Sequence, residues 1–123
     1  MIEDRTSVLI VDRDKAARSV MQEILEEAGY AVDTAENGAE ALEKSEVKRF
    51  DVALVDIELP DIEGPELLLK LPNNSEMVKI VIARFSTVEN GVRAADCGAD
   101  DFLVKPIQHG ELLQAIRSRL VKV

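Results

Sequence analysis

The sequence has little cysteine, few aromatic residues and no long apolar segment. Its one cysteine, Cys97, cannot form a disulfide within the chain, so a hydrophobic core has to hold the fold. No apolar run reaches the ~20 residues that span a bilayer, and none has the pattern of a secretion signal. These absences predict a cytoplasmic protein that does not contact a membrane.

Basic residues are also in deficit, with 15 lysines and arginines against 24 acidic residues and a net charge of −9. A charge of this sign repels polyanions, which argues against nucleic acid as a direct ligand and favours proteins or cations. Hydrophobic residues make up 46% of the chain and aromatic residues only 3%, so the core must be aliphatic. At this length, residues 1–123 are expected to form a single domain.

Five short apolar runs alternate along the chain with five amphipathic segments. Most runs are continuous, as is typical of strands buried on both faces of a parallel sheet. The expected strands are residues 8–11, 31–34, 52–55, 80–83 and 102–104. The pattern predicts an α/β fold of the (βα)5 type, in which a doubly wound, five-stranded parallel sheet carries helices on both faces.

Capping residues mark the expected helix boundaries. Asp14 is a suitable N-cap for the first helix and Gly29 a suitable stop. Ser86 and Glu89 have the spacing of a capping box at the start of the fourth helix. The other helices are expected to begin near residues 37–38, 64–65 and 110; the third ends in segment 71–76 and the fifth near 121.

Charged side chains follow three of the expected strands. Asp12, Asp56 and Lys105 come at the carboxyl ends of the first, third and fifth strands, where open parallel sheets bind their ligands. Two carboxylates and an ammonium suit a hard cation together with a phosphoryl group. A carboxylate can also act as the nucleophile and form an aspartyl phosphate.

The stretch Asp12-Arg13-Asp14 admits a different hypothesis, a phosphohydrolase of the haloacid dehalogenase type. Asp12 would then be the nucleophile and Asp14 the general acid and base. Such enzymes are usually longer and need a further acidic motif at a strand end after the lysine. Here only Glu111 follows Lys105, and it lies within an expected helix.

Three motifs and their spacing resemble one known family. They are "VLIVDRD" at the first strand, "DVALVDIELPDIEG" around Asp56 and "GADDFLVKPI" around Lys105. Over nearly its full length the chain resembles the receiver domain of two-component response regulators. The resemblance implies the strand order 2-1-3-4-5, known for the chemotaxis receiver. It also implies a signalling domain rather than an enzyme, phosphorylated by a sensor histidine kinase or a histidine phosphotransfer protein.

The resemblance assigns roles position by position. Asp56 matches the phosphoacceptor, and Lys105 matches the lysine that contacts the phosphoryl group. Asp12, Asp56 and the backbone carbonyl of Glu58 match Mg²⁺ ligands. Pro106 follows the lysine as in the family, where this peptide bond is commonly cis.

Four positions depart from the family pattern. Arg13 stands where the family has a second metal-binding acid. Ala83, or Ile82 if one residue is inserted, replaces the threonine or serine that senses the phosphoryl group. At the second switch position, on the fifth strand, Phe102 keeps an aromatic ring but lacks the hydroxyl of a tyrosine. Arg84 stands where the family prefers a small residue. These changes predict weakened Mg²⁺ binding and weakened switching.

Arg13 leaves two interpretations open. It could face inward, pair with Asp12 or Asp56 and oppose Mg²⁺, since one charge pairing at 4 Å is worth roughly 4 kcal/mol at an effective dielectric near 20. It could instead point into solvent and leave the site one ligand short. An alternative function is a pseudo-receiver that binds a partner without phosphorylation. In either case the fourth and fifth helices are the expected face for an effector or a homodimer, and a longer regulator is possible in which this domain is N-terminal.

Overall fold

The computed structural model describes residues 5–72 and 75–120. Within these residues, five strands alternate with five helices. The strands are β1 (Ser7–Val11), β2 (Ala31–Ala35), β3 (Val52–Asp56), β4 (Val78–Ala83) and β5 (Asp101–Val104). The helices are α1 (Lys15–Glu27), α2 (Gly38–Val47), α3 (Gly64–Lys70), α4 (Val88–Asp96) and α5 (His109–Leu120).

The strands form one parallel sheet in the order β2-β1-β3-β4-β5, which confirms the expected fold and strand order. The register places Val11 beside Val55 and beside Ala35, and Asp56 beside Ile82. The carboxyl ends of β1, β3 and β4 are therefore nearly level, so residues that follow these strands meet at one edge.

Each face of the sheet is covered by an aliphatic cluster, because neighbouring residues of a buried strand point to opposite faces. In β1, Val8 and Ile10 pack with residues of α1 and α5, whereas Leu9 and Val11 pack with residues of α2, α3 and α4. All four side chains are fully buried. The continuous apolar runs in the sequence reflect this burial on both faces. No helix in the described part of the chain combines the length and apolarity needed to cross a membrane.

The helix ends agree with most of the capping signals. Asp14 is the N-cap of α1, and Gly29, with φ of +97°, follows its C-cap. The expected capping box of α4 is wrong by one residue, because Thr87 is the N-cap and accepts a hydrogen bond from the backbone N–H of Asn90. Helix α3 ends at Lys70, before the predicted terminating segment, of which residues 73 and 74 lie outside the described residues. The predicted end of the last helix at 121 also lies outside them.

Gly64 lies against the end of β3. Its N–H donates to the carbonyl of Ile57 at 3.0 Å, and a Cβ at this position would lie 2.2 Å from the carbonyl oxygen of Asp56. Any larger residue would collide with backbone that cannot rotate away. The loop after β3 can therefore return to the sheet only because residue 64 has no side chain.

Replacing Gly64 by alanine is expected to destabilise the fold, whereas Gly91→Ala in α4 serves as the matched control because nothing lies within 4 Å of its Cβ position. Overpacking at Gly64 should lower the free energy of unfolding by about 1–3 kcal/mol. Gly91→Ala should raise it by about 0.5–1 kcal/mol, since alanine favours a helix interior. Urea unfolding measures both, and equal stability of the Gly64 variant and the unaltered protein would contradict the contact.

Candidate functional site

The site lies at the carboxyl edge of the sheet. Asp12 directly follows β1, Asp56 is the last residue of β3 and Lys105 directly follows β5. The backbone N–H of Lys105 donates to the carbonyl of Ala83 at 2.8 Å, which continues the sheet pairing and aims the lysine side chain past the end of β4. Asp12 is 0% exposed and Asp56 5% exposed, so both carboxyl groups are buried.

One ammonium joins the two carboxylates. Nζ of Lys105 lies 2.7 Å from Oδ2 of Asp12 and 2.7 Å from Oδ2 of Asp56. The contact with Asp12 is an ion pair without aligned hydrogen-bond geometry, so this buried oxygen keeps an unused lone pair. The other oxygens accept backbone N–H groups, from Asp14 at 2.9 Å and from Glu58 at 2.7 Å. The three predicted residues thus converge into one ion-paired group.

Burial and charge act in opposite directions on this group. Burial raises the pKa of the Asp12 carboxyl, and the neighbouring Asp56 carboxylate adds to the rise, while Lys105 and the Asp14 N–H oppose it. Burial alone would lower the pKa of the Lys105 ammonium, but the two carboxylates outweigh that effect and raise it. The lysine therefore stays charged in the pocket.

Two residues that sequence reasoning missed hold the site in place, and the first is Arg18 of α1. Its Nη1 donates to the backbone carbonyl of Asp12 at 2.6 Å, and its Nη2 lies 3.8 Å from the carboxylate of Glu36. Its side chain is only 15% exposed. Arg18 thereby fixes the backbone of Asp12 from the side of α1, a contact for which no motif gives a signal.

The second is Asp61, in the loop after β3. Its two carboxylate oxygens accept the backbone N–H groups of Gly38 and Ala39, each at 2.9 Å, at the start of α2. These bonds, above all the one from Gly38, lower the pKa of the Asp61 carboxyl. Gly38 leaves room for Ile62, whose side chain would lie 2.2 Å from a Cβ there. The loop that carries Glu58 is thus anchored to α2.

The stretch Asp12-Arg13-Asp14 divides its three residues between different tasks. Arg13 is exposed and forms no ion pair among the described residues, so Lys105 and not Arg13 pairs with the acids. Oδ1 of Asp14 accepts the N–H of Ala16 at 3.0 Å as the cap of α1. Asp14 therefore serves as a helix cap, whereas the phosphohydrolase hypothesis requires it as the general acid and base.

The two expected switch positions lie in the same aliphatic cluster. Ala83 is 0% exposed, and the ring of Phe102 is partly buried against that cluster. Neither side chain has a hydroxyl, and the nearby Thr87 hydroxyl caps α4. Arg84, the next residue after Ala83, is exposed.

A cleft of about 670 Å³ opens in front of Asp56. Its lining combines apolar side chains of α1 and of the loops after β4 and β5 with charged groups at the floor and rim. The lining residues are Arg13, Asp14, Ala16, Ala17, Val20, Met21, Asp56, Glu58, Arg84, Phe85, Lys105, Pro106 and Ile107. The peptide bond between Lys105 and Pro106 is cis, as the resemblance implied.

The oxygens of the site provide a small donor set for a metal. Among the described residues, no cluster of three or more acidic, histidine or cysteine side chains could enclose an ion. Asp12 and Asp56 nevertheless offer carboxylate oxygens, one of them buried with an unused lone pair. Mg²⁺ accepts such a set, because it is often held by one or two carboxylates and keeps several waters. The residues present therefore fit Mg²⁺ that keeps most of its waters.

Comparison with known proteins decides the family. The family model of the response regulator receiver domain matches residues 8–117. The chain belongs to this family. A receiver domain protein of Methanospirillum hungatei JF-1, described as CheY-like, is 39% identical with a TM-score of 0.89, covering 95% of this chain and 94% of that one.

Other receiver-containing proteins are similar over most of this chain. A response regulator from Burkholderia pseudomallei was solved with a phosphorylated aspartic acid, a calcium ion and citrate. It is 26% identical to this chain with a TM-score of 0.82, and the match covers 94% of this chain and 71% of the Burkholderia chain. The transcriptional regulatory protein CusR of Escherichia coli is 34% identical over 114 residues, 92% of this chain. This receiver domain spans 50% of CusR and 26% of the transcriptional regulatory protein ZraR of Klebsiella oxytoca.

Removing the ammonium of Lys105 is expected to destabilise the receiver. In Lys105→Ala two buried carboxylates face each other unpaired, which should lower the free energy of unfolding at pH 7 by roughly 3 kcal/mol. Adding Asp12→Asn removes one of the two charges and should restore part of the loss. Urea unfolding of both variants, with exposed Lys70→Ala as the control, measures the effect. A Lys105→Ala variant as stable as the control would disprove a structural role for the ion pair.

The Asp61 anchor predicts a stability difference that depends on pH. Because its pKa is lowered in the folded state, Asp61 contributes stability above the usual aspartate pKa of about 4, and this contribution is lost as the pH falls through the folded pKa. Asp61→Asn should therefore be less stable than the unaltered receiver at pH 7 and approach it below about pH 4. Exposed Glu43→Gln is the charge-matched control. Parallel stability curves for Asp61→Asn and the unaltered receiver would contradict the anchor.

Proposed function

We propose that this receiver accepts a phosphoryl group on Asp56 from a sensor histidine kinase or a histidine phosphotransfer protein. Receiver domains are signalling domains that interact with histidine kinases. The observation that carries the proposal is the position of Asp56 at the floor of an open cleft, with the Lys105 ammonium 2.7 Å from its carboxylate. The acceptor would act once per phosphoryl group, in the cytoplasm, as a signalling domain and not as a turnover enzyme.

The chemistry follows from the surroundings of Asp56. The Glu58 N–H and the Lys105 ammonium orient its two oxygens, so one of them can present a lone pair to the incoming phosphorus. A new P–O bond forms as the bond to the donor breaks, and the donor leaves with that electron pair. Lys105 offsets charge on the phosphoryl oxygens. Asp12, Asp56 and the Glu58 carbonyl would hold Mg²⁺, which when bound supplies further positive charge.

We propose that both metal binding and switching are weakened in this receiver. Arg13 supplies no carboxylate to the metal site, and Ala83 supplies no hydroxyl to the phosphoryl group. Phe102 keeps the ring of a switch residue without its hydroxyl. Phosphorylation would therefore shift the conformation of the effector face less than in a receiver with a complete set of these groups.

The partners of the domain follow from the same proposal. The relatives are regulators longer than this chain, and we propose that this chain is the N-terminal receiver of a longer regulator. Its effector or a second copy would contact the face of α4 and α5, where Val88 is 86% exposed and Val92 52% exposed. Direct contact with nucleic acid by this domain is not part of the proposal, given its net charge of −9.

A second candidate function is a pseudo-receiver whose surface binds its partner without phosphorylation. The exposed Arg13 in place of an acid and the missing hydroxyl at Ala83 favour it. This candidate needs neither Mg²⁺ nor a reactive Asp56. It predicts the same fold and the same ion pair with Lys105, so only chemistry separates the two.

Acetyl phosphate separates these candidates. The purified receiver is incubated with acetyl phosphate and Mg²⁺, and the mass of the intact chain is followed. The proposal expects a gain of one phosphoryl group that is absent from Asp56→Asn and labile to hydroxylamine, as an acyl phosphate should be. Arg117→Ala, exposed on α5, should gain the same mass as the unaltered chain.

No gain of mass in the unaltered receiver, even at high Mg²⁺, would leave the pseudo-receiver as the better account. Catalytic release of phosphate from simple phosphoesters would instead revive the phosphohydrolase hypothesis. A Mg²⁺ titration of labelling adds a second test, because weakened metal binding requires a half-saturation above that of Arg13→Asp, in which the missing carboxylate is restored.

A further inference from the structure

The cleft in front of Asp56 contains two guanidinium groups without an assigned role. Arg13 follows β1 and Arg84 follows β4, and both line the cleft that Asp56 and Lys105 also line. Both are exposed, and among the described residues neither forms an ion pair or a side-chain hydrogen bond. Arg93, by contrast, is paired with Glu63. Two unpaired arginines thus line the same cleft as the acceptor.

Few side chains of the cleft can donate hydrogen bonds to a phosphoryl group on Asp56. A phosphoryl group on Asp56 brings about 1.5 to 2 negative charges and three acceptor oxygens. Among the side chains that line the cleft, none has a hydroxyl, and only Arg13, Arg84 and Lys105 carry N–H donors. Lys105 is already shared between two carboxylates. The unengaged side-chain donors at the cleft are therefore the two guanidinium groups.

Two acids, Asp14 and Glu58, line the cleft together with these cations. One oxygen of Asp14 accepts the Ala16 N–H as the cap of α1, and Glu58 is exposed. Among the described residues neither acid forms an ion pair with Arg13 or Arg84, so both guanidinium groups remain available to a new anion. A guanidinium can donate two parallel N–H groups to phosphate oxygens, which makes it a stronger partner for a phosphoryl group than a hydroxyl.

We infer that Arg13 and Arg84 bind the phosphoryl oxygens of phosphorylated Asp56, in place of the hydroxyl missing at Ala83 and of part of the charge of a metal. This inference rests on the proposed function and concerns the same site. The transfer is balanced without a further reactant. With acetyl phosphate, the P–O bond to acetate breaks, acetate keeps the electron pair, and a carboxylate oxygen of Asp56 forms the new P–O bond.

The experiment measures the rate of labelling by acetyl phosphate in four variants of the whole chain. They are Arg84→Ala, Arg13→Ala, the double variant and Arg84→Lys, with Arg117→Ala as the matched control. Loss of a charge-assisted hydrogen bond of about 1.5 kcal/mol or more should slow labelling about tenfold for each arginine. Arg84→Lys should retain part of the rate because it keeps the charge but not the paired donors. With Mg²⁺ chelated, the unaltered receiver should still be labelled and the double variant should not.

A second readout does not depend on rates. On phosphorylation, the Nε–H resonances of Arg13 and Arg84 should shift, whereas that of Arg117 should not. Unchanged resonances, together with labelling rates equal to the control in all four variants, would overturn the role of the arginines while leaving Asp56 as acceptor. Absence of the phosphoryl mass from the unaltered receiver and from Arg117→Ala would overturn the proposed function, and this inference with it.

Discussion

The contact on which this site depends is the Lys105 ammonium between two buried carboxylates. The ammonium lies 2.7 Å from each carboxylate. Lys105 follows β5, Asp12 follows β1 and Asp56 ends β3, so this contact joins the ends of three strands. Without it, two buried like charges would face each other. Because the ammonium holds one oxygen of each acid, the remaining oxygens face the N–H groups of Asp14 and Glu58, and these bonds shape the loops above the sheet.

Much of this arrangement could be predicted from the sequence, because its signals are local. Continuous aliphatic runs mark strands covered on both faces, and strand-end charges converge in any parallel sheet with this order. The order itself came from the family resemblance. The start of α4 was missed by one residue because Ser86 and Thr87 can both cap a helix. In the structure Asn90 favours Thr87: its backbone N–H donates to the Thr87 hydroxyl, and its side-chain amide donates to the carbonyl of Phe85.

The contacts that sequence reasoning missed join a side chain to distant backbone. Arg18 donates to the carbonyl of Asp12, and Asp61 accepts two N–H groups of α2. Almost every residue type has the same backbone N–H and carbonyl groups, so the sequence pattern does not show which backbone group a side chain will bind. The orientation of Arg13 was undecided for a related reason. Burying a second cation beside Lys105 would cost desolvation without a free carboxylate to offset it, and the arginine remains at the rim.

The anchor between Asp61 and α2 also bears on how this domain can vary over time. Its partners on α2 are amide groups, which nearly every residue type provides, so most substitutions in the first turn of that helix leave the bonds intact. Gly38, which leaves room for Ile62, and the fully buried Ala41 are constrained by size. Exposed residues of α2 can therefore be substituted, and can come to bind new partners, while the acceptor loop keeps its position.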